Sequence, residues 1–312
     1  ENTFVKDYVE GEPWEWLPVF IFGYLRTSNN YDETVKRMGA GKNGFGAKLT
    51  CIFSKRFQIK IQDPDNKKEL TATWYDNMFL NNRDIKPTIE VKEIKSIKKG
   101  SVSVEWDLDF DRFGMKEYSK KDLSIFRRFA VDFSFTCKVK TSFNGKDFDY
   151  REITNYASLL WNEEQMKNRI IEYIWEPNVD KELKDATVKT QEKRIANATK
   201  PENIPEVEIM IIDTPDKSVN MSYVNGLITS EGGLHVDAAE EPVFEKIKDI
   251  LLRLLKKNKL RIDHIRPHVS FIVNARLCDP DYSSQSKTKL TSPNIEISYK
   301  EKSLRKISEW GV

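Results

Sequence analysis

The sequence predicts an α+β fold in which helices are inserted between antiparallel strands. Runs of alternating apolar residues indicate strands, and Ser101–Phe110 is the clearest of them. Turn signatures at residues 63–68 and at Asn144-Gly145 predict hairpins between neighbouring runs. Helical patterns fall between these strands without regular strand–helix alternation, which favours a layered α+β sandwich over a doubly wound parallel sheet.

The first fifty residues contain two short apolar segments separated by polar turns. Val19–Leu25 is a short buried segment, and Thr27–Asp32 is a turn by composition. The glycine-rich stretch Gly39–Lys48 follows. After it, the helical spacing of Leu49, Ile52 and Phe53 predicts a helix with these three side chains on one buried face.

The next hundred residues are predicted to be mainly strands. Asp122–Val131 is the exception and predicts a helix with Leu123, Phe126 and Ala130 inward. In Ser101–Phe110 the apolar face comprises Val102, Val104, Trp106, Leu108 and Phe110. The predicted strands are Arg56–Gln62, Leu70–Tyr75, Thr88–Ile94, Ser101–Phe110, Thr136–Phe143 and Lys146–Tyr150.

A change in composition predicts a domain boundary near residue 200. Apolar spacing weakens from about residue 161, and a charged connector leads to Pro201 and Pro205, so the predicted domains are 1–200 and 201–312. The predicted elements of the second domain are strands Val207–Asp213, Ser218–Val224 and Val269–Arg276, a long helix Glu241–Lys257, a polar loop Asp279–Pro293 and a final helix Glu301–Trp310.

Composition sets limits on the class of protein. The 312 residues include 51 Lys and Arg against 49 Asp and Glu, so the overall charge does not indicate a nucleic-acid partner. Cys51, Cys137 and Cys278 are far apart and predict reduced core thiols of an intracellular protein. No apolar stretch is long enough to span a bilayer and no signal peptide is visible, while the first residue, Glu1, indicates that the chain does not begin at a native N-terminus.

The stretch Gly39–Lys48 has the composition of a phosphate-binding loop. Gly41, Gly44 and Gly46 allow positive φ, which lets backbone N–H groups approach an oxyanion. The following helix would direct the positive end of its dipole at the loop, and Lys42 and Lys48 would supply counter-charge. The alternative is a flexible glycine turn that caps a helix.

Two other groups of residues suggest metal ligands. Glu10, Glu12 and Glu15 form an acidic cluster, for which a solvated loop is the simpler interpretation. His235 is interpreted as structural, and the spacing of His264 and His268 matches no known ligand geometry. No metal site is predicted in this chain.

Four ordered segments resemble one family. They are Thr27–Asp32, Gly41–Leu49 with Ile52–Ser54, Tyr223–Asp237, and Val273–Ala275 through Ser284–Lys287. Together they resemble the ATPase region of type IIA DNA topoisomerases, nearer the eukaryotic, viral and phage enzymes than bacterial gyrase, and the resemblance covers nearly the whole chain.

The resemblance implies part of a GHKL (Bergerat) ATP-binding sandwich followed by a ribosomal-S5-like transducer domain. It assigns Gln285 and Lys287 to the transducer loop that reaches the γ-phosphate, with Lys287 as its sensor. The nucleotide-contacting positions it implies are Ser28, Asn29, Asn30, Gly41, Lys42, Asn43, Gly44, Phe45, Gly46, Ala47 and Lys48.

The resemblance also implies what the parent protein does. It would be an ATP-dependent type II topoisomerase with Mg²⁺, working as a homodimer on double-stranded DNA together with its own cleavage core and without a membrane. Its compartment would be the nucleus, a viral factory or the host cytoplasm.

The family's catalytic glutamate, magnesium-binding asparagine and adenine motif precede the segment that resembles residues 1–25. We therefore expect a fragment that is catalytically incomplete by itself. The alternatives are a GHKL ATPase of the mismatch-repair or chaperone type, and a non-catalytic nucleotide-binding module that complements a separately encoded N-terminal piece.

Overall fold

A computed structural model describes residues 16–25, 38–39, 41, 44–80, 83–84, 86–95, 99–175, 178–179, 205–215, 217–256 and 259–310. Backbone contacts divide the chain into two compact units. The first unit contains residues 1–31 and 41–120, and the second contains residues 32–40 and 121–312. The second unit thus begins well before the predicted boundary after residue 200.

The described helices and strands confirm an α+β fold. The helices are α1 (Leu17–Gly23), α2 (Gly46–Ile52), α3 (Lys120–Thr136), α4 (Ile153–Ala157), α5 (Leu234–Leu255) and α6 (Glu301–Lys306). The strands are β1 (Ser54–Asp63), β2 (Lys68–Tyr75), β3 (Phe79–Leu80), β4 (Arg83–Asp84), β5 (Thr88–Glu93), β6 (Ser101–Leu108), β7 (Thr141–Phe143), β8 (Lys146–Phe148), β9 (Arg169–Trp175), β10 (Asn178–Val179), β11 (Glu206–Asp213), β12 (Met221–Val224), β13 (Leu227–Ile228), β14 (Val269–Arg276), β15 (Asp281–Tyr282), β16 (Leu290–Ser292) and β17 (Ile295–Glu296).

An antiparallel four-stranded sheet forms the centre of the first unit, in the order β5-β2-β1-β6. The predicted hairpin between β1 and β2 is confirmed, with Asp63 opposite Lys68. The Asp63 carboxylate accepts hydrogen bonds from the backbone N–H groups of Asp65 and Asn66, which closes the turn. Phe57, Ile59 and Trp74 are buried on one face of the sheet together with Val19 of α1 and Cys51 of α2.

The apolar face of β6 is correctly predicted, but it is not buried. Val102, Val104 and Trp106 lie opposite Ile61, Ile59 and Phe57, and therefore on the core side of the sheet. All three are exposed, Val102 to 64%. The reason is position: β6 is at the edge of the sheet, whereas the buried core lies over β1 and β2.

A mixed five-stranded sheet forms the centre of the second unit, in the order β13-β12-β14-β11-β9. β12 runs parallel to β14, and the other neighbours are antiparallel. One face packs against α5, with Val243, Phe244 and Ile247 in the same core as Phe271 and Val273. The opposite face packs against α3 and α4. Strands β9 and β11 lie on either side of the predicted boundary yet pair in one sheet, which is why the compact unit does not divide at residue 200.

Helix α3 is longer than predicted, and its predicted inward face is correct only in part. It continues to Thr136, and its buried residues include Val131 and Phe135. Ala130 packs against the same core, as predicted, whereas Leu123 is exposed. The predicted strand from Thr136 is therefore wrong over its first residues, because the end of α3 is held in the core by Phe135. The hairpin that follows is confirmed, since Asn144 and Gly145 both have positive φ, as a type I′ turn requires.

Helix α5 begins seven residues earlier than predicted. Pro242 lies inside the helix, and the preceding turns are held by the buried side chains of His235 and Ala239. Burial on the sheet therefore outweighs the loss of one backbone hydrogen bond at Pro242.

Candidate functional site

The glycine-rich loop leads directly into α2. Gly44 has φ of +62° and Phe45 is in the right-handed helical region, so the helix begins at Gly46. The Leu49 N–H donates to the Phe45 carbonyl at 2.9 Å, and the amides of Gly46 and Ala47 precede this first helical bond. The N-terminal end of α2 therefore presents backbone donors on the side of the loop, the arrangement expected for an anion site.

Only part of the predicted nucleotide loop lies within the described residues. Of the three loop glycines, Gly44 adopts the positive φ that we predicted, while Gly41 and Gly46 lie outside the left-handed region. A Cβ at Gly41 or Gly46 would meet open space. Ser28, Asn29 and Asn30, together with Lys42 and Asn43, lie outside the described residues.

The buried face of α2 differs from the predicted face at Lys48 and Leu49. Leu49 is 45% exposed, whereas Lys48 is only 3% exposed and lies one turn before the buried Cys51. The helix packs on the sheet through Cys51, so the residue three positions earlier is also turned inward. Burial lowers the pKa of the Lys48 ammonium, which is the cost of removing a cation from water.

The second predicted site segment is a tight turn between β15 and β16. The Lys287 N–H donates to the Ser284 carbonyl at 3.0 Å, and Lys287 itself has φ of +59°. The hydroxyl groups of Ser284 and Ser286 are 2.7 Å apart. Gln285 is exposed, and Lys287 is half-buried with a pKa lowered by that burial.

The turn is fastened to the segment that begins α5. The Glu231 N–H donates to the Thr288 carbonyl at 2.9 Å, and the Leu290 N–H donates to the Gly232 carbonyl at 3.1 Å. Gly233 then forms a parallel bridge with Leu290 and is the N-terminal cap of α5. Backbone hydrogen bonds therefore join the Lys287 turn to the start of α5, the longest of the described helices.

His235, in this same segment, has the structural position that we predicted. It is fully buried, and its Nε2 lies 3.1 Å from the Thr229 hydroxyl. Burial lowers its pKa to about 3, so the ring is neutral at physiological pH. His268 Nδ1 lies 2.5 Å from the Pro215 carbonyl oxygen.

The described part of the chain contains no group of three or more His, Cys, Asp or Glu side chains placed to hold a metal ion. Glu10, Glu12 and Glu15 lie outside those residues. Within the same ranges, no helix combines the length and the apolar character needed to cross a membrane.

The three cysteines are free thiols, but they do not all lie in a core. Cys51 is buried as predicted, Cys278 is half-buried, and Cys137 is exposed because it follows the last residue of α3, where the chain leaves the helix.

A buried polar network was not foreseen from the sequence. Arg128 on α3 donates to Asp132 at 2.6 Å, and also to the hydroxyl groups of Tyr156 and Tyr223, each at 3.0 Å. Tyr156 in turn donates to Asp132 at 2.7 Å. The spacing of Arg128 and Asp132, four residues apart, was the available signal, although the predicted helix ended one residue short of Asp132. Burial raises the pKa of Tyr223 to about 12, so this tyrosine is a neutral structural group.

Comparison with known proteins gives consistent matches. The family model for DNA gyrase B matches residues 168–310. DNA topoisomerase 2 of Invertebrate iridescent virus 6 is 30% identical over 296 residues, covering 93% of this chain and 23% of the viral protein. The chain thus spans less than a quarter of the length of the curated relatives it matches.

Solved structures agree on the fold. The ATPase region of Saccharomyces cerevisiae topoisomerase II superposes with a TM-score of 0.73 at 24% identity, covering 99% of this chain and 72% of that one. The ATPase and transducer domains of DNA topoisomerase II from Balamuthia mandrillaris give the same score and coverage at 22% identity. The sequence and fold matches agree: this chain is similar to type II DNA topoisomerases over the part that corresponds to their ATPase region.

Proposed function

We propose that this chain belongs to an ATP-dependent type II DNA topoisomerase, in which it couples the binding and hydrolysis of ATP to closure of a DNA gate and passage of one duplex through another. The similarity of nearly the whole chain to DNA topoisomerase 2 proteins supports the proposal. Within this chain, the strongest support for the proposed coupling is the attachment of the Lys287 turn to Gly232 and Gly233 at the start of α5.

The residues around α2 fit a triphosphate. The turn at Gly44, the backbone donors that open α2 and the buried ammonium of Lys48 form a donor set with positive charge, which suits an anion and not a cation. We propose that Gly41 to Lys48, including Lys42 and Asn43, wrap the phosphates of ATP. Ser28, Asn29 and Asn30 are proposed to contact the nucleotide from the preceding segment.

Lys287 is proposed to sense the γ-phosphate, with Gln285 beside it. A lysine on this closed turn would form a charge-assisted hydrogen bond with the γ-phosphate, and its partial burial would strengthen that attraction. Hydrolysis removes that partner, so the turn would relax, and its backbone bonds to residues 231–233 would carry the change to α5.

Mg²⁺ is proposed as the companion of ATP. The family's principal magnesium ligand has no counterpart in these 312 residues, and the described residues contain no metal-ligating cluster of three or more such side chains. The chain's own contribution would be to bind and orient the phosphates, while the ion supplies additional neutralisation of their charge.

The proposed partners are double-stranded DNA, a second copy of the parent protein and the cleavage core of the same enzyme. The proposed location is inside cells: the nucleus, a viral factory or the host cytoplasm. Mismatch-repair and chaperone ATPases with a GHKL fold are not favoured, because the matches over nearly the whole chain are to topoisomerase 2 proteins.

The proposal is tested by the full-length parent protein acting on supercoiled plasmid DNA. We expect relaxation over many turnovers with ATP and Mg²⁺, and none without nucleotide. A non-hydrolysable ATP analogue is expected to support no more than one passage per enzyme. Relaxation that proceeds equally well without nucleotide, or ATP hydrolysis without any change in DNA topology, would contradict the proposal.

A further inference from the structure

Met38 attaches the chain to the second unit just before the glycine-rich loop begins. Residues 32–40 belong to the second unit by their backbone contacts, whereas residues 41–48, which follow directly, belong to the first. The side chain of Met38 is half-buried, and its thioether sulfur accepts a hydrogen bond from the Cys278 thiol at 3.4 Å. Two residues that are 240 positions apart in the sequence therefore meet within the second unit.

The position of Cys278 is fixed by the residue before it. Leu277 is fully buried, and its backbone N–H and carbonyl both bond to the side-chain amide of Asn225, each at 2.8 Å. The Asn225 N–H in turn donates to the Ala275 carbonyl at 2.9 Å. Met38 and Asn225 also line the same cavity of about 420 Å³. Met38 therefore rests against a well-held part of the second unit.

Both segments assigned to the triphosphate are close to this contact along the chain. Gly41 follows Met38 by three residues, and three residues of extended chain span at most about 11 Å. After Cys278 the chain enters β15 and then reaches the Lys287 turn. The contact therefore holds the start of the loop on the segment of the second unit that leads to Lys287.

The value of the contact lies in the position that it fixes. A thiol and a thioether are both weak hydrogen-bonding groups, so the bond itself contributes little to stability. Ordering a loop around a ligand costs conformational entropy, and a contact that already fixes one end of the loop lowers that cost. Loss of the contact should therefore affect ligand binding more than folding.

We propose that Met38 is a positioning residue for ATP, whose contact with Cys278 holds the N-terminal end of the Gly41–Lys48 loop in place for the phosphates. The inference rests on the proposed function, because it takes ATP as the ligand of this loop. Met38 would act through the loop and not by touching the nucleotide. The alternative is that Met38 only fills space on the second unit, in which case ATP binding does not depend on it.

The first measurement tests the contact without nucleotide. In the full-length parent protein, Met38→Ala should uncover the Cys278 thiol and speed its alkylation by N-ethylmaleimide severalfold, as followed by mass spectrometry. Met115→Ala removes another half-buried methionine, outside every proposed site, and should leave the rate unchanged. Equal alkylation rates in the unmodified protein and Met38→Ala would overturn the proposal.

The second measurement separates binding from the chemical step. We expect Met38→Ala to raise both the Kd for a fluorescent ATP analogue and the KM for ATP about fivefold, with kcat within about twofold of the unmodified value. Met38→Leu keeps the apolar volume and should restore both constants to within about twofold. Met115→Ala should change none of them. An unchanged Kd in a folded Met38→Ala protein, or a loss confined to kcat, would overturn the proposal.

Cys278→Ala removes the other partner and keeps the proposal testable if Met38→Ala fails to fold. It should also weaken binding of the ATP analogue about fivefold. If both residues act through one contact, the double variant should bind no more weakly than either single variant. Unchanged affinity in Cys278→Ala, or losses that add in the double variant, would contradict the positioning role.

These outcomes are distinct from failure of the proposed function. A parent protein that binds the ATP analogue but does not relax DNA would refute the topoisomerase activity, while the variants would still test Met38 by binding. A parent protein that relaxes DNA with ATP, but binds the analogue equally well as Met38→Ala, would refute the positioning role alone. A parent protein that does not bind the analogue would overturn both.

Discussion

Gly233 and Leu290 are so close that no other residue fits at position 233. A Cβ built on Gly233 would lie 2.3 Å from the Leu290 carbonyl oxygen, and Gly233 has φ of +123°. This contact joins the start of α5 to the strand that follows the Lys287 turn. Position 233 therefore needs a glycine for two reasons. The contact with Leu290 leaves no space for a side chain, and the positive φ disfavours every other residue.

Gly233→Ala is expected to destabilise the protein by more than about 3 kcal/mol, because it combines a disfavoured backbone conformation with a clash against backbone atoms. Gly145→Ala is the matched control. Gly145 also has positive φ, but its Cβ would meet nothing within 4 Å, so we expect a loss of only about 1 kcal/mol. Urea unfolding measures both, and equal losses would show that the contact with Leu290 does not matter.

The Lys48→Met variant shows whether Lys48 stabilises the fold or binds ATP. Replacing the buried ammonium with an apolar side chain of similar length removes both the cost of burying a cation and the interactions that the lysine makes, so we expect the free energy of unfolding to change by less than about 1 kcal/mol. Affinity of the full-length protein for a fluorescent ATP analogue should fall at least tenfold. Lys116→Met, at an exposed position of the same unit, is the control for both measurements. A large loss of stability with unchanged affinity would assign Lys48 to the core instead.

Arg128→Met is expected to destabilise the protein by about 2 kcal/mol, because Asp132 would remain buried without its cation. The loss should be smaller than for a fully buried pair, since 41% of the Arg128 side chain is exposed. Arg127→Met, one position earlier and on the exposed side of α3, should cost less than 1 kcal/mol. Chemical denaturation measures both variants. Equal losses in their free energies of unfolding would show that the network does not stabilise the protein.

The titration of His235 should make the free energy of unfolding depend on pH. Its folded pKa of about 3 lies below the unfolded value of about 6.5, so between these values the unfolded chain binds a proton that the folded chain does not. The contribution of the neutral His235 to the free energy of unfolding is complete above pH 6.5. It decreases by about 1.4 kcal/mol per pH unit as the pH falls from 6.5 towards 3.

The His235→Gln variant lacks this titration. The difference in unfolding free energy between the native protein and the variant should therefore shrink from pH 7 to pH 4.5. Parallel pH profiles for the two proteins would mean that His235 is protonated in the fold.

Some regular strands of the second unit were predictable from their content of strand-forming residues. β14 was predicted with its observed bounds, Val269–Arg276, although Ser270 and Asn274 interrupt its apolar residues. The Asn144-Gly145 hairpin was equally predictable, since its two residues impose the turn by their own conformational preferences.

The errors arise where tertiary packing chooses between local alternatives. Nothing local shows that Lys48 would be buried and Leu49 exposed, or that Pro242 would be enclosed by a helix beginning at Leu234. The exposed Val102 and Trp106 carry the same alternation as a buried strand, because periodicity reports which face is apolar and not whether anything covers it. For the site, the turn at Lys287 was located by its motif, whereas its attachment to Gly232 depends on pairing between distant segments.

The role of Lys287 is the central claim, and Lys287→Ala in the full-length parent protein tests it most directly. Lys289→Ala, an exposed lysine two residues further along, is the matched control. We predict that Lys287→Ala lowers both ATP hydrolysis and ATP-dependent strand passage at least tenfold, while DNA cleavage and the control variant are largely unchanged. ATP hydrolysis by Lys287→Ala at the rate of the unmodified protein would contradict the account.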